Sequence, residues 1–128
     1  MTKTIFCDID GTLVRHLGKG LACQTSAETF DTSFVLPGTV EKLNEWQAKG
    51  YTIVLTTGRR ESQRRSTETQ LHNLGLIWDH LVMGLPNGPR VLINDLKPGT
   101  NPEIDQGYLE TAQAICLMRN KGIKDISI

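Results

Sequence analysis

The chain of 128 residues has no surplus of either charge, because fourteen basic side chains meet fourteen acidic ones. A protein without a net field is not drawn to nucleic acid or to an anionic membrane by charge alone. No apolar run approaches the roughly 20 residues that cross a bilayer. The N-terminus runs straight into a strand-like segment, without the pattern of a secretory leader. Cysteine is scarce: Cys7, Cys23 and Cys116 are odd in number and form no CxxC pair. That argues against a disulfide framework or a cysteine zinc site and makes the reducing cytoplasm the expected setting. His16, His72 and His80 stand at no metal-ligand spacing, and no nucleophile turn supports Ser-His-Asp chemistry. Internal repeats and low-complexity tracts are lacking too. What remains is one domain's length of sequence, 38% hydrophobic, enough for a single core.

The pattern of that sequence predicts strands alternating with helices. A strand is expected over Lys3–Asp8. The irregular stretch Leu13–Leu36 suits a flap or insert, with short strands at Val14–Leu17 and Ala22–Thr25 around Gly18-Lys19-Gly20. Pro37-Gly38 opens a helix over Thr39–Lys49, with Val40, Leu43 and Trp46-Gln47 inward and Gly50 as its stop. Tyr51–Thr56 is rich in β-branched residues and reads as a buried strand. A turn at Thr57-Gly58-Arg59 leads to a helix over Glu61–Leu74, closed by Gly75, in which Leu71 and Leu74 point inward. Further strands are expected at Leu81–Met83, Val91–Asn94 and Lys124–Ile128, and a helix at Tyr108–Asn120. The alternation predicts an α/β fold, a parallel sheet with helices on both faces. Trp46 and Trp78 read as packing residues, and Cys7 as a small buried one.

Ligands of such folds bind at the carboxyl ends of the strands. Asp8, Thr57 and Asp95 all fall there. The run Asp8-Ile9-Asp10-Gly11-Thr12 sets two carboxylates one residue apart at the end of the first strand. Two like charges this close need a cation or a proton between them, and a hard cation bound by oxygens, Mg²⁺, is the natural choice. With Asp8 as nucleophile and Asp10 as proton donor, the pair supports phosphoryl transfer. Backbone N–H groups of the Ile9–Thr12 turn are candidates to hold the transferring oxygens.

This run resembles the first signature of the haloacid dehalogenase (HAD) superfamily of phosphatases. The resemblance extends from Lys3 to about Pro98 and implies a Rossmann-like sheet and a Mg²⁺-dependent phosphomonoester hydrolase. It implies that Asp8 and the carbonyl of Asp10 bind the metal, with Asp95 completing the shell. Thr57 resembles the second signature, a hydroxyl on a phosphate oxygen, with Thr56 as competitor on the opposite face. Gly58 and Arg59 follow as in members whose arginine takes substrate phosphate, and Thr12 ties the first turn or touches substrate. Asn94 stands where many members have a second acid, and its bland role is to tether a loop. The third signature, a lysine, is missing between Tyr51 and Asp95. Arg90 and Lys97 are the replacements, with Lys97 preferred for its compact charge.

The insertion points that carry cap domains in the family hold only the Leu13–Leu36 stretch, so the resemblance implies a small capless member, a single domain over 1–128. An open site suits a large substrate, or a homo-oligomer whose neighbour supplies the lid. By fold-level analogy, the expected partner is a phosphorylated small molecule, a sugar phosphate of surface-polysaccharide metabolism. The alternatives are a polynucleotide 3′-phosphatase-like enzyme, disfavoured by the zero net charge, and a catalytically silent phospho-ligand module. A receiver-type phospho-acceptor lacks its acceptor Asp, since neither Tyr51–Thr56 nor Leu81–Met83 ends in one. The Arg60, Arg64 and Arg65 cluster, diluted by Glu61 and Glu68, reads as a solvated helix face.

Overall fold

The computed structural model describes residues 2–17, 32–98 and 108–128. They form two compact units, one running to Pro86 and joined by Leu117–Ile128, the other Asn87–Cys116.

The first unit is built on a three-stranded parallel sheet in the order β1-β2-β3. The strands are β1 (Thr4–Asp8), β2 (Thr52–Thr56) and β3 (His80–Val82). Helix α1 (Thr39–Ala48) connects β1 to β2, and helix α2 (Arg64–Asn73), entered through a 3-10 turn at Glu61–Gln63, connects β2 to β3. This is the expected α/β arrangement of parallel strands joined by helical crossovers. Alternation along β1 buries Ile5 and Cys7 while Phe6 stays 59% exposed on the other side. The central β2 is buried on both faces through Ile53, Val54 and Leu55. Leu43 and Trp46 of α1, Leu71 of α2 and Ile123 from the C-terminal segment complete the core. The register pairs Asp8 with Thr56 and Thr56 with Val82, so all three strands end at the same level.

Some boundaries and elements differ from the sequence expectation. Val14–Leu17 contributes only isolated bridges at Val14, to Asp10 and to Val35, rather than a strand, and Ala22–Thr25 lies outside the described residues. Lys124–Ile128 forms no strand; there the N–H groups of Ile123 and Lys124 both donate to the Pro37 carbonyl, at 3.0 and 3.1 Å.

In the second unit, Val91–Asn94 is not a strand, and Val91 and Ile93 are 82% and 91% exposed. An apolar run states a need for burial but carries no pairing partner of its own. Among the described residues of this unit the regular structure is a short antiparallel pair, β4 (Lys97–Pro98) with β5 (Tyr108–Leu109). The expected helix over Tyr108–Asn120 is replaced by β5 and irregular backbone. A helix of that length is marginal unless a face of it is packed.

Candidate active site

Asp8 is the last residue of β1, and the chain turns immediately beyond it. Ile9 is fully buried, and its carbonyl accepts from the N–H groups of Thr12, Leu13 and Val14 at 3.2, 2.9 and 3.1 Å. That knot folds the five-residue motif into a single tight loop. Gly11 lies at φ +91°, and a Cβ there would sit 3.1 Å from Cγ of Arg119. The left-handed backbone favours glycine, and a Cβ would also crowd the Arg119 side chain. The N–H of Ile9 donates to the Thr56 carbonyl and that of Gly11 to the Val14 carbonyl. With Thr12 also engaged, the N–H groups of Ile9, Gly11 and Thr12 hold the turn itself, whereas the sequence expectation gives them to phosphate.

The two aspartates have different surroundings. The Asp8 carboxylate is exposed and accepts a hydrogen bond from the Thr12 hydroxyl at 3.1 Å. The Asp10 side chain is 18% exposed and meets the 5% exposed side chain of Arg59. Arg59 binds it bidentately, Nε donating to Oδ2 at 3.0 Å and Nη2 to Oδ1 at 2.7 Å. This is the fork-to-fork geometry for which a guanidinium is suited. The Thr57 hydroxyl donates to Asp10 Oδ2 at 3.4 Å and accepts from the Arg59 N–H at 3.1 Å. Thr57 is buried and held by its own backbone, its N–H on the Val82 carbonyl and its carbonyl under the N–H of Leu85. Gly58 is exposed between these two anchored neighbours.

Arg59 is therefore not a surface arginine. Its Nη1 faces inward, donating to Gln70 Oε1 at 2.7 Å and to Thr67 Oγ1 at 3.3 Å. Two helical residues with buried oxygens attract the guanidinium into the protein. The sequence reading missed Thr67 and Gln70. The available signal was their spacing: with Leu71 and Leu74 they continue one helical stripe, so they share the inward face.

Asn120 was missed as well. It adopts φ +65°, and its N–H donates to the Gly11 carbonyl at 2.8 Å. Its side chain accepts from the His16 N–H at 2.7 Å and donates to the His16 carbonyl at 3.2 Å. The C-terminal segment thus buttresses the loop that carries Asp10. Below Asp8, burial and then the neighbouring carboxylate push the Cys7 thiol up to about 12.

Asp95, Lys97 and Arg90 belong to the second unit. Lys97 Nζ lies 2.6 Å from Asp95 Oδ1. The hydrogen bond from that ammonium, against an opposing desolvation and with the ammonium charge in support, holds the Asp95 carboxyl below the usual carboxylate range. Arg90 Nη1 donates to the Gly88 carbonyl at 3.2 Å. Asn94 tethers a loop, its amide donating to Thr111 Oγ1 at 2.8 Å. On α2, Arg64 pairs with Glu61 at 2.7 Å and Glu68 at 3.4 Å, so this part of the basic cluster neutralises itself at the surface.

The donor set is all oxygen: an exposed carboxylate on Asp8 and the backbone of a tight loop. That chemistry fits a hard divalent cation rather than a soft one. Among the described residues no three His, Cys, Asp or Glu side chains cluster as a ready cage. Among the same residues no helix is long and apolar enough to cross a membrane.

Residues 1–97 match the family described as HAD superfamily, subfamily IIIB (acid phosphatase). No curated protein matches the chain. Among solved structures, a chain of the Pnkp1/Rnl/Hen1 complex is 25% identical with a TM-score of 0.53, covering 70% of this chain and 30% of that one. A second structure of that assembly, described as an RNA repair complex, gives 25% identity and a TM-score of 0.48, covering 64% and 25%. A D,D-heptose 1,7-bisphosphate phosphatase from B. bronchiseptica, complexed with magnesium and phosphate, is 20% identical with a TM-score of 0.49, covering 69% and 52%. The chain thus spans about half or less of these solved proteins.

Proposed function

The chain belongs to the HAD superfamily, subfamily IIIB, and from that premise we propose that it is a Mg²⁺-dependent phosphomonoester hydrolase working through an aspartyl-phosphate on Asp8. The observation that carries this reading is the unequal setting of the two aspartates, Asp8 exposed beneath the Thr12 hydroxyl and Asp10 clamped by Arg59. A nucleophile must reach the phosphorus atom, whereas a proton donor must be held at one angle to the leaving oxygen.

In the first half-reaction an Asp8 oxygen bonds to phosphorus as the ester P–O bond breaks, and Asp10 gives its proton to the departing alkoxide. In the second, Asp10 takes a proton from water while the water oxygen bonds to phosphorus. The bond to Asp8 breaks and inorganic phosphate leaves. Thr57 stands beside Asp10 with a hydroxyl able to turn toward a phosphate oxygen, and Gly58 leaves room for the phosphate to approach. Asp8, the Asp10 carbonyl and, by its position in the sequence, Asp95 are the proposed donors for Mg²⁺, which when bound supplies charge neutralisation at the transferring group. Lys97 or Arg90 takes the part of the missing lysine.

A phosphorylated small molecule is the first substrate class, in keeping with a formal net charge of zero; a sugar phosphate of surface-polysaccharide metabolism is its proposed form. The likeness to a chain of the Pnkp1/Rnl/Hen1 complex favours a phosphorylated nucleic-acid end as the second. The free thiols of Cys7 and Cys116 suit a reducing cytoplasm. The test is phosphate release with Mg²⁺ from a panel of sugar phosphates and from an oligonucleotide with a 3′-phosphate. Wild type should turn over one class and Asp8→Asn neither; equal release by both proteins would end the proposal.

A further inference from the structure

The inward stripe of α2 is Thr67, Gln70 and Leu71, continued by Leu74 at the helix end, at the spacing of one helical face. Its leucines pack in the core, but Thr67 and Gln70 are 0% and 1% exposed, as buried as the leucines beside them. A helix that needed only packing would carry apolar residues at both positions, because burying a polar side chain costs energy unless it is bonded. Both are bonded to the same atom, Nη1 of Arg59. The other two guanidinium nitrogens are those that hold Asp10.

We propose that Gln70 and Thr67 are positioning residues for proton transfer, acting through Arg59 to fix the Asp10 carboxylate. A guanidinium is flat and rigid, so fixing one end of it fixes the plane of the other. Gln70 and Thr67 pin Nη1 from inside the protein, and Nε and Nη2 then present two parallel N–H bonds to Asp10. Without the inner anchors, a side chain with four rotatable bonds is free to swing toward the open side of the loop. Gln70 is neutral, so it accepts the hydrogen bond without competing for the charge that Asp10 uses. The chemistry rests on the hydrolase reading above; the geometry does not.

The test separates esters by how much they need an acid. A benzyl phosphate leaves as an alkoxide and requires protonation, whereas 2,4-dinitrophenyl phosphate leaves without help. General acid catalysis contributes about 10²- to 10⁴-fold. Gln70→Met and Thr67→Val should therefore lower kcat/KM on benzyl phosphate at least about tenfold more than on the dinitrophenyl ester, and Thr67→Ser should restore the wild-type ratio. A loss of packing alone would lower both esters equally, and an unmoved ratio overturns the proposal. A wild-type chain inactive on both esters would overturn the hydrolase reading and the catalytic role together, a result distinct from an active wild type with an unmoved ratio. In the ¹⁵N-labelled protein, the Nε–H of Arg59 should exchange with water faster after Gln70→Met. Unchanged exchange in the folded variant would overturn the anchoring itself.

Discussion

Replacing Arg59 by methionine tests the link between fold and site, because one side chain serves both. Arg59 donates four side-chain hydrogen bonds, two to Asp10 and one each to Gln70 and Thr67. The Asp10 side chain is 18% exposed, so water replaces part of what its carboxylate loses. Gln70 is 1% exposed, so its oxygen is orphaned, at a cost of about 1–3 kcal/mol. The lost charged hydrogen bonds to Asp10, about 1.5–3 kcal/mol each at full strength, are discounted by half or more for solvent screening. The net expectation is a loss of about 3 kcal/mol, a large share of the roughly 5–15 kcal/mol typical of a domain.

In urea that loss moves the midpoint down by about 1–3 M at the usual slope. Arg59→Lys should behave nearly as badly, since an ammonium is a single point and cannot reach Asp10 and Gln70 together. The double variant Arg59→Met with Gln70→Met should regain stability over Arg59→Met alone, because it removes the orphaned oxygen along with its donor. Activity on an alkyl phosphate should fall by about 10²- to 10⁴-fold in every Arg59 variant. A midpoint unchanged in Arg59→Met, or full stability and activity in Arg59→Lys, would refute the reasoning.

The Cys7 thiol, held up at about 12 by burial and the charge of Asp8, should resist a thiol reagent at pH 8 until the protein is unfolded; rapid labelling of the native state at this position refutes it. The same shift has a sign in stability: above the ordinary thiol value the unfolded chain loses its proton while the folded chain keeps it. Stability should therefore fall by up to about 1.4 kcal/mol per pH unit between the ordinary thiol value and the folded one, measured by urea titration against Cys7→Ala. Gly122→Ala meets both a φ of +88° and a Cβ position 2.5 Å from the Pro37 carbonyl oxygen. It should lower the melting temperature through a backbone cost of about 1–2 kcal/mol plus the displacement needed to clear that oxygen; an unchanged melting temperature refutes it. Chelation with EDTA should abolish phosphate release and added Mg²⁺ restore it, whereas activity that survives chelation excludes the metal.

The elements legible in the sequence are those whose pattern and partners lie close together in the chain. The strand ending at Asp8, the Thr39 helix, the strand ending at Thr56 and the helix before Gly75 carry their own periodicity and stop signals. Three appear within about a residue of the expected limits, and the fourth starts at Glu61 as a 3-10 turn that becomes α-helical at Arg64. Val91–Ile93 and the segment after Tyr108 carry composition alone. Strong β-formers and strong helix-formers take those forms when something packs on them, and Val91 and Ile93 stand exposed. In the site, the spacing of Asp8, Asp10 and Thr57 could be read, but the direction of Arg59 could not. Arginine beside a strand-end glycine can face phosphate or interior equally well. The deciding atoms, on Thr67 and Gln70, sit in a helix segment whose composition looks wholly solvent-facing.

That hidden partner bears on how two adjacent carboxylates come to hold different offices. Sequence makes Asp8 and Asp10 equivalent: same side chain, same strand end, one residue between them. The fold removes the equivalence through Ile9, whose burial and triply used carbonyl bend the chain between them. Asp8 ends the strand at the surface, where a hydroxyl steadies one oxygen. Asp10 is turned to the helix side, where both of its oxygens meet guanidinium nitrogens. A carboxylate whose two oxygens are held in that way is fixed in direction and hindered as a nucleophile, whereas Asp8 stands exposed where a phosphorus atom can reach it. Thr12→Val, which removes the hydroxyl that donates to Asp8, should leave the leaving-group ratio alone while lowering activity on both esters together. If Thr12→Val shifted that ratio as Gln70→Met is expected to, the division of labour drawn from the two settings would be wrong.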